Sequence, residues 1–137
     1  WTFADGPGVV PDDVNGAGFL HQVYAAADPT YTGRATVPAL WDRRTKTIVS
    51  NESSDILRMF NAAFDTLGAL TGDYYPVAGR GEIDAVNDRV YGALNDGVYK
   101  VGFASTQGAY EEAVRPLLET LEWLDRRLDR RRYVVGG

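Results

Sequence analysis

The sequence predicts a mixed fold in which a small β-α unit is followed by an antiparallel pair of long helices. Residues 36–64 contain two short runs rich in β-branched and aromatic residues, a charged turn between them, and then apolar residues at helical spacing. From residue 82 onward, apolar residues recur every three or four positions through two long stretches. That pattern is typical of amphipathic helices that pack against each other.

The two strands are predicted at residues 39–41 and 47–49, joined by the charged turn of residues 42–46. Pro38 marks the entrance to the first strand, because proline cannot donate a hydrogen bond to a sheet ladder. Frequency alone favours a trans bond before Pro38, since only about 5–6% of X–Pro bonds in folded proteins are cis. An isolated hairpin is marginal in water, so further strands are expected upstream of Trp1.

The helix after the hairpin is predicted to begin at a cap supplied by Ser50 or Asn51. Apolar residues at helical spacing predict that one face is buried. This face consists of Ile56, Leu57, Phe60, Ala63 and Phe64.

The start of this helix has the chemistry of a binding site. Free N–H groups and the positive end of the helix dipole suit a carboxylate or a phosphate, and the Ser53 hydroxyl adds a donor. Glu52 would repel a phosphate but can pair with an ammonium group, so an amino acid would satisfy both groups. An ordinary capped helix without a ligand explains the same residues, and both interpretations stay open.

The segments on either side of this unit contain residues that break regular structure. Residues 1–18 are rich in Gly, Pro and Asp and predict a loop, followed by a short helical face at residues 19–24. Arg34, just ahead of Pro38, is either a solvated charge or reaches an anionic group near Pro38. Glycines and a proline in residues 67–76 predict a linker, which gives domains at 1–70 and 79–137 with the linker at 71–78.

Two long helices are predicted in the second half of the chain. The first carries an apolar stripe with a bend near Gly97, and the second begins at a Thr106 cap and is kinked or loosened at Pro116. Five arginines at its end are expected to be solvated. The stripe consists of Ile83, Val86, Val90, Leu94 and Val98. The facing seam consists of Tyr110, Val114, Leu117, Leu121, Leu124 and Leu128. The five arginines are Arg126, Arg127, Arg130, Arg131 and Arg132.

Composition excludes several classes of function. The net charge of −5 disfavours nucleic acid or an anionic membrane as a partner. No cysteine is present, and the single histidine, His21, leaves no zinc cluster or Ser-His-Asp constellation and is expected to be solvated or to pack. No apolar run approaches the ~18 residues of a membrane span, and no signal peptide is visible, so a cytoplasmic location is expected.

The motifs WTF, TVPALWD, TIVSNESSDILRMFNAAF, GDYYP and NDGVYKVGFA together resemble the glutathionyl-hydroquinone reductases, also called Xi-class glutathione transferases. The resemblance implies a partial thioredoxin-like domain followed by part of an all-helical C-terminal domain. It implies a reaction in which a cysteine thiolate attacks the sulfur of a glutathionyl-hydroquinone, releases the hydroquinone and is cleared by a second glutathione. That cysteine belongs to a Cys-Pro-Trp-Ala-His type motif, which is expected upstream of Trp1 in a longer protein.

The resemblance also implies roles for individual residues in binding glutathione, the co-substrate. Val37, before a cis-proline, pairs its backbone with the cysteinyl part. Glu52 and Ser53 hold the γ-glutamyl end. Trp1 lines the site, and Arg34 lies near the glycyl carboxylate.

Tyr99 matches a tyrosine that faces the bound quinol and assists at its oxygen, although a packing role stays open. The resemblance implies a homodimer built through the helical domain. An alternative function is a non-catalytic glutathione-binding or assembly module, which the absence of cysteine favours only if 137 residues are the whole product. A conventional conjugating transferase lacks support in these motifs.

Overall fold

The computed structural model describes residues 1–4, 6–70 and 72–136, and it divides the chain into two compact units, Trp1–Gly72 and Asp73–Gly137. The first unit contains helix α1 (Leu20–Ala27), strands β1 (Leu40–Asp42) and β2 (Thr47–Ser50) and helix α2 (Ser53–Ala62). The second contains α3 (Arg80–Val90), a π-helical turn (Tyr91–Asn95), α4 (Gly97–Gly102) and α5 (Gln107–Leu128). The predicted mixed fold is confirmed, whereas the predicted domain limits stay a prediction, and Thr71 and Gly137 lie outside the described residues.

Helix α1 forms where the sequence predicts it. Leu20, Val23 and Tyr24 are buried, while Phe19 remains exposed at the N-cap position. The side-chain oxygen of Gln22 accepts the N–H of Phe19 at 3.0 Å. The helix therefore begins with a satisfied amide and presents one apolar face to the unit.

The predicted hairpin is confirmed, with β1 and β2 paired antiparallel and Asp42 opposite Thr47. Asp42 organises the turn, since its carboxylate accepts the N–H groups of Arg44 at 2.7 Å and Thr45 at 3.3 Å. Hydrogen bonds from the Thr45 side chain and from the Arg44 amide lower the pKa of Asp42. Within the described residues these two strands are the whole sheet.

The peptide bond between Val37 and Pro38 is cis. The expectation of a trans bond from frequency alone is therefore wrong, and the cis-proline implied by the resemblance is confirmed. Frequency weighs all X–Pro bonds alike, whereas local structure selects one isomer at each site.

Helix α2 begins at Ser53 with Glu52 as its N-cap, so the prediction that Ser50 or Asn51 caps it is wrong. Both of those residues are engaged elsewhere. Ser50 ends β2, and its hydroxyl accepts the N–H of Glu52 at 3.1 Å. The Asn51 amide nitrogen donates to the hydroxyl of Thr36 at 3.3 Å.

The predicted buried face of α2 is confirmed only at Ile56. Phe60 is 56% exposed and Leu57 is also exposed, although the rings of Phe60 and Phe64 pack with centroids 5.4 Å apart. A hairpin of two short strands offers too little apolar surface to cover a helical face. The apolar face that the periodicity of α2 predicts is therefore larger than the face that the described residues bury.

The long helices α3 and α5 run antiparallel, as predicted. The Arg89 side chain donates to the Thr120 hydroxyl at 3.3 Å, and Glu82, earlier in α3, pairs with Arg127, later in α5. The predicted cap of α5 is also confirmed, because the Thr106 hydroxyl accepts the N–H of Ala109 at 3.2 Å.

Helix α5 is continuous through Pro116, so the kink expected there stays a prediction. In the part of the chain that the structure describes, no helix combines the length and the apolar character needed to cross a membrane.

The π-helical turn divides the first long helix. Its signature is the N–H of Asp96, which donates at 2.9 Å to the carbonyl of Tyr91, five residues earlier. One extra residue in a turn rotates the positions that follow by about 100°. Gly97 is consequently buried and Val98 is exposed, so the predicted stripe is wrong at Val98.

The seam predicted on α5 is also displaced. Thr120 is only 2% exposed, whereas Tyr110, Leu121 and Leu128 are exposed. Heptad spacing assumes an apolar partner at each contact, but the partner opposite Thr120 is the guanidinium of Arg89. Val114, Leu117 and Leu124 remain half-buried.

We expect Gly97→Ala to raise the free energy of unfolding by about 0.5–1 kcal/mol, because alanine is favoured over glycine in a helix. The new Cβ would meet the Leu117 side chain at 3.7 Å, an ordinary van der Waals contact. Thermal unfolding measures the change. Gly68→Ala is the control and should destabilise, because Gly68 has a φ of +86°. A lower unfolding temperature for Gly97→Ala would show that the contact between position 97 and Leu117 cannot accept a methyl group.

Candidate functional site

The predicted site residues fall in both units. Trp1, Arg34, Val37, Glu52 and Ser53 lie in the first unit, and Tyr99 lies in the second. Arg34 and Val37 belong to residues 34–37, which lead directly into Pro38 and which we call the strap. Glu52 and Ser53 form the start of α2.

One hydrogen bond joins the strap to the start of α2. The Asn51 side chain donates to the Thr36 hydroxyl at 3.3 Å. Because Val37 follows Thr36 and Glu52 follows Asn51, this bond brings two predicted binding residues into one neighbourhood. The two are 15 positions apart in sequence, the same separation as the bonded pair.

The backbone of Val37 is available to a ligand. Val37 is exposed, and its N–H and carbonyl make no hydrogen bond with any residue in the described ranges. A backbone segment with open hydrogen-bonding groups can pair with an added peptide in the manner of a sheet edge. The open backbone groups of Val37 are of the kind that pairs with a peptide-like ligand.

The N-terminus of α2 offers open amides beside a carboxylate. Ile56 is the first residue whose N–H closes a helical bond, to the Glu52 carbonyl at 3.0 Å. The amides before it point out of the helix end, as in any first turn, and the Glu52 carboxylate makes no capping bond. This pairing of amides with a carboxylate suits a group that carries both a carboxylate and an ammonium.

Trp1 and Arg34 are held through their backbones. The carbonyl of Trp1 accepts the N–H of Leu20 at 3.1 Å, and the carbonyl of Arg34 accepts the Tyr31 hydroxyl at 2.9 Å. Both side chains are exposed. Neither forms a hydrogen bond or an ion pair with Glu52 among the described residues, so the structure does not join them to the α2 end through such contacts.

The sequence does not predict which residues support the strap. Tyr24 counted only as an apolar position, yet it is 3% exposed and its hydroxyl donates to the Thr36 carbonyl at 2.8 Å. A tyrosine at an apolar position of a helix carries a hydroxyl that needs a hydrogen-bond partner when the residue is buried. The sequence therefore indicates that Tyr24 needs such a partner. The identity of that partner depends on tertiary structure.

Tyr99 lies on α4 and is 65% exposed. Its ring is stacked on that of Phe103, with centroids 6.4 Å apart and planes at 11°. Its hydroxyl forms no hydrogen bond with another described residue, so it is open to a ligand. The stacked ring fits the packing role equally well.

The described ranges contain no group of three or more His, Asp or Glu side chains that could hold a metal ion. His21 is exposed and lies against the ring of Phe19, with centroids 5.6 Å apart, which fits the expectation that it is solvated or packs.

The sequence is similar to two bacterial proteins, while no family model matches it. It is 60% identical over 136 residues to the glutathionyl-hydroquinone reductase PcpF of Sphingobium chlorophenolicum, which covers 99% of this chain and 44% of PcpF. It is 53% identical over 138 residues to the glutathionyl-hydroquinone reductase YqjG of Escherichia coli, which covers 100% of this chain and 42% of YqjG.

The fold is similar to solved structures of the same kind. The glutathione-bound structure of YqjG matches with a TM-score of 0.92 and 52% identity, over 100% of this chain and 45% of that one. The Xi glutathione-S-transferase of Phanerochaete chrysosporium matches with a TM-score of 0.94 and 48% identity, over 100% and 48% of the two chains. The fold class implied by the resemblance is confirmed, and the chain spans less than half the length of these relatives.

Proposed function

Because the chain belongs to the glutathionyl-hydroquinone reductases, the Xi-class glutathione transferases, we propose that it serves the glutathione-dependent reduction of glutathionyl-hydroquinones to hydroquinones. The observation that carries the proposal is the hydrogen-bonded junction between the strap and the start of α2. There an open backbone edge lies near open helix amides and a free carboxylate. The YqjG relative has been solved with glutathione bound.

Glutathione matches this junction group by group. Its γ-glutamyl end carries an amine and a carboxylate on one carbon, which suits Glu52 together with the amides and hydroxyl at Ser53. Its cysteinyl part is a peptide, which suits the open backbone of Val37. Glu52 and Ser53 therefore hold one end of the ligand while Val37 pairs with its middle.

The far end of glutathione is the glycyl carboxylate. Arg34, an exposed cation on the strap, attracts it in this proposal. Trp1, with an exposed indole, supplies a flat apolar wall to the ligand. The proposal thus uses opposite charges at the two ends and a backbone contact between them.

The proposed chemistry is thiol exchange. A cysteine thiolate attacks the glutathione sulfur of the glutathionyl-hydroquinone and forms a mixed disulfide, while the carbon–sulfur bond breaks and the hydroquinone carbon gains the electron pair and a proton. A second glutathione thiolate then attacks the mixed disulfide, which gives oxidised glutathione and restores the cysteine. These 137 residues contain no cysteine, so they do not supply the nucleophile.

Tyr99→Phe should lower kcat with a glutathionyl-hydroquinone about tenfold or more, because the variant loses a hydroxyl that assists at the quinol oxygen. The affinity for glutathione should hardly change. Steady-state kinetics and glutathione titration measure the two effects in the full-length protein. Tyr91→Phe, at another exposed tyrosine of the second unit, is the matched control. An unchanged kcat in Tyr99→Phe would leave Tyr99 a packing residue.

The alternative proposal is a non-catalytic glutathione-binding or assembly module, which the absence of cysteine favours only if 137 residues are the whole product. Intact mass and N-terminal sequencing of the natural product, with a turnover assay, separate the two. A product with a Cys-Pro motif that releases hydroquinone supports the reductase. A cysteine-free product that binds glutathione without turnover supports the module. A homodimer and a cytoplasmic location remain predictions.

A further inference from the structure

Two tyrosines hold the strap through its backbone. The Tyr24 hydroxyl donates to the Thr36 carbonyl at 2.8 Å, and the Tyr31 hydroxyl donates to the Arg34 carbonyl at 2.9 Å. The two rings pack with centroids 4.9 Å apart. The two bonded carbonyls are two residues apart, so the pair restrains both ends of a short segment.

These tyrosines are themselves well anchored. Tyr24 is buried on α1, and its carbonyl accepts the N–H of Asp28 at 2.9 Å. The Asp28 carbonyl in turn accepts the N–H of Tyr31 at 3.0 Å. A continuous set of hydrogen bonds therefore runs from α1 through the turn to the strap.

Gly33 allows Tyr31 to reach its partner. A Cβ at position 33 would lie 2.5 Å from the Tyr31 hydroxyl oxygen and 2.7 Å from the ring carbon that bears it. No side-chain atom can occupy that space while the hydroxyl keeps its place. Glycine at this position is explained by the close approach of the tyrosine.

The strap is also held by a residue that follows it in the chain. Asn51 donates to the Thr36 hydroxyl at 3.3 Å, directly before Glu52 at the start of α2. Tyr24 and Asn51 thus bind one strap residue, through its carbonyl and through its side chain. Thr36 is therefore hydrogen-bonded both to α1 and to the residue that precedes the N-cap of α2.

We propose that Tyr24, Tyr31 and Asn51 are positioning residues for glutathione binding, which act by holding the strap at a defined place beside the start of α2. The proposal rests on the proposed function, in which Arg34 and Val37 contact glutathione. None of the three touches the ligand in this role. Their loss should therefore raise the KM for glutathione and leave kcat nearly unchanged.

The first test is Tyr31→Phe in the full-length protein. We expect the KM and Kd for glutathione to rise about three- to tenfold, the scale of one neutral hydrogen bond, with kcat within twofold of wild type. Tyr24→Phe should behave in the same way. Tyr110→Phe, an exposed tyrosine in the second unit, is the matched control.

A double-mutant cycle with Arg34→Ala separates positioning from a merely structural role. If Tyr31 acts by placing Arg34, Tyr31→Phe should add little once the Arg34 side chain is gone. Additive effects would overturn positioning through Arg34. A purely structural role would lower the unfolding temperature and leave the two effects additive.

Gly33→Ala provides a second variant with the tyrosine intact, because the added methyl displaces the flexible end of Tyr31. It should reproduce the rise in KM. If the wild-type protein binds glutathione and both Tyr31→Phe and Gly33→Ala have the wild-type KM, the positioning role is overturned and the proposed function is not. A wild-type protein that binds no glutathione overturns the proposed function itself.

Discussion

Replacing Glu52 with alanine should weaken glutathione binding by about 1–3 kcal/mol, which raises Kd roughly 5- to 150-fold. The Glu52 carboxylate is exposed and makes no capping hydrogen bond, so it is free to pair with the α-amino group of the ligand. Removing it leaves that ammonium group without its counter-charge. Isothermal titration of the full-length protein with glutathione measures the loss of affinity. The Kd of Glu52→Gln should lie between those of the wild type and Glu52→Ala.

The matched control is Asp55→Ala, which removes another carboxylate from the same first turn. Asp55 has no assigned contact with the ligand, so its loss should change Kd less than about threefold, the scale of a charge near a helix end. Equal losses in the two variants would indicate a general charge effect. Unchanged affinity in Glu52→Ala would remove Glu52 from the site.

Replacing Arg127 with alanine should lower the free energy of unfolding by about 2–3 kcal/mol, the scale of losing a partly buried charge and its hydrogen bonds. The Arg127 side chain is only 19% exposed. It pairs with Glu82, donates to the carbonyl of Val134 and lies 5.3 Å from the ring centre of Trp123. Arg127 therefore departs from the prediction that the arginines ending α5 are solvated.

The neighbouring arginine provides the control for this effect. The Arg126 side chain is 63% exposed and pairs with Glu122 at 2.8 Å, one helical turn away. Its replacement by alanine should cost about 0.5 kcal/mol or less, as for other exposed helix pairs. Chemical denaturation of both variants gives the comparison. Equal, small losses would show that the partly buried contacts of Arg127 do not stabilise the protein.

The sequence predicts candidate binding residues at the start of α2, but it does not predict which residues hold the strap. Glu52 and Ser53 were recognisable because the signals for a helix start lie within a few residues of each other. The cap itself was misplaced because pairing across the hairpin recruits Ser50 into β2, opposite Leu40. Ser50 is suited both to capping a helix and to ending a strand, and the pairing of the two strands places it in β2.

The helical unit departs from its predicted pattern for a related reason. Periodicity assumes a constant 3.6 residues per turn and an apolar partner on the facing helix. The π-helical turn breaks the first assumption and rotates Val98 out to solvent. The contact of Arg89 with Thr120 breaks the second, because a polar pair occupies a place expected for leucine.

The order of the elements, the hairpin, the Thr106 cap and the chemical character of the α2 start all follow from residues close together in the chain. Their interactions reach over a few positions, so a linear pattern contains them. The hydrogen bond from Tyr24 to the strap spans 12 positions, and the hydrogen bond between Arg89 and Thr120 spans 31. Only the folded chain could decide these, because a hydrogen-bonding side chain reveals that it needs a partner but not which distant residue will supply it.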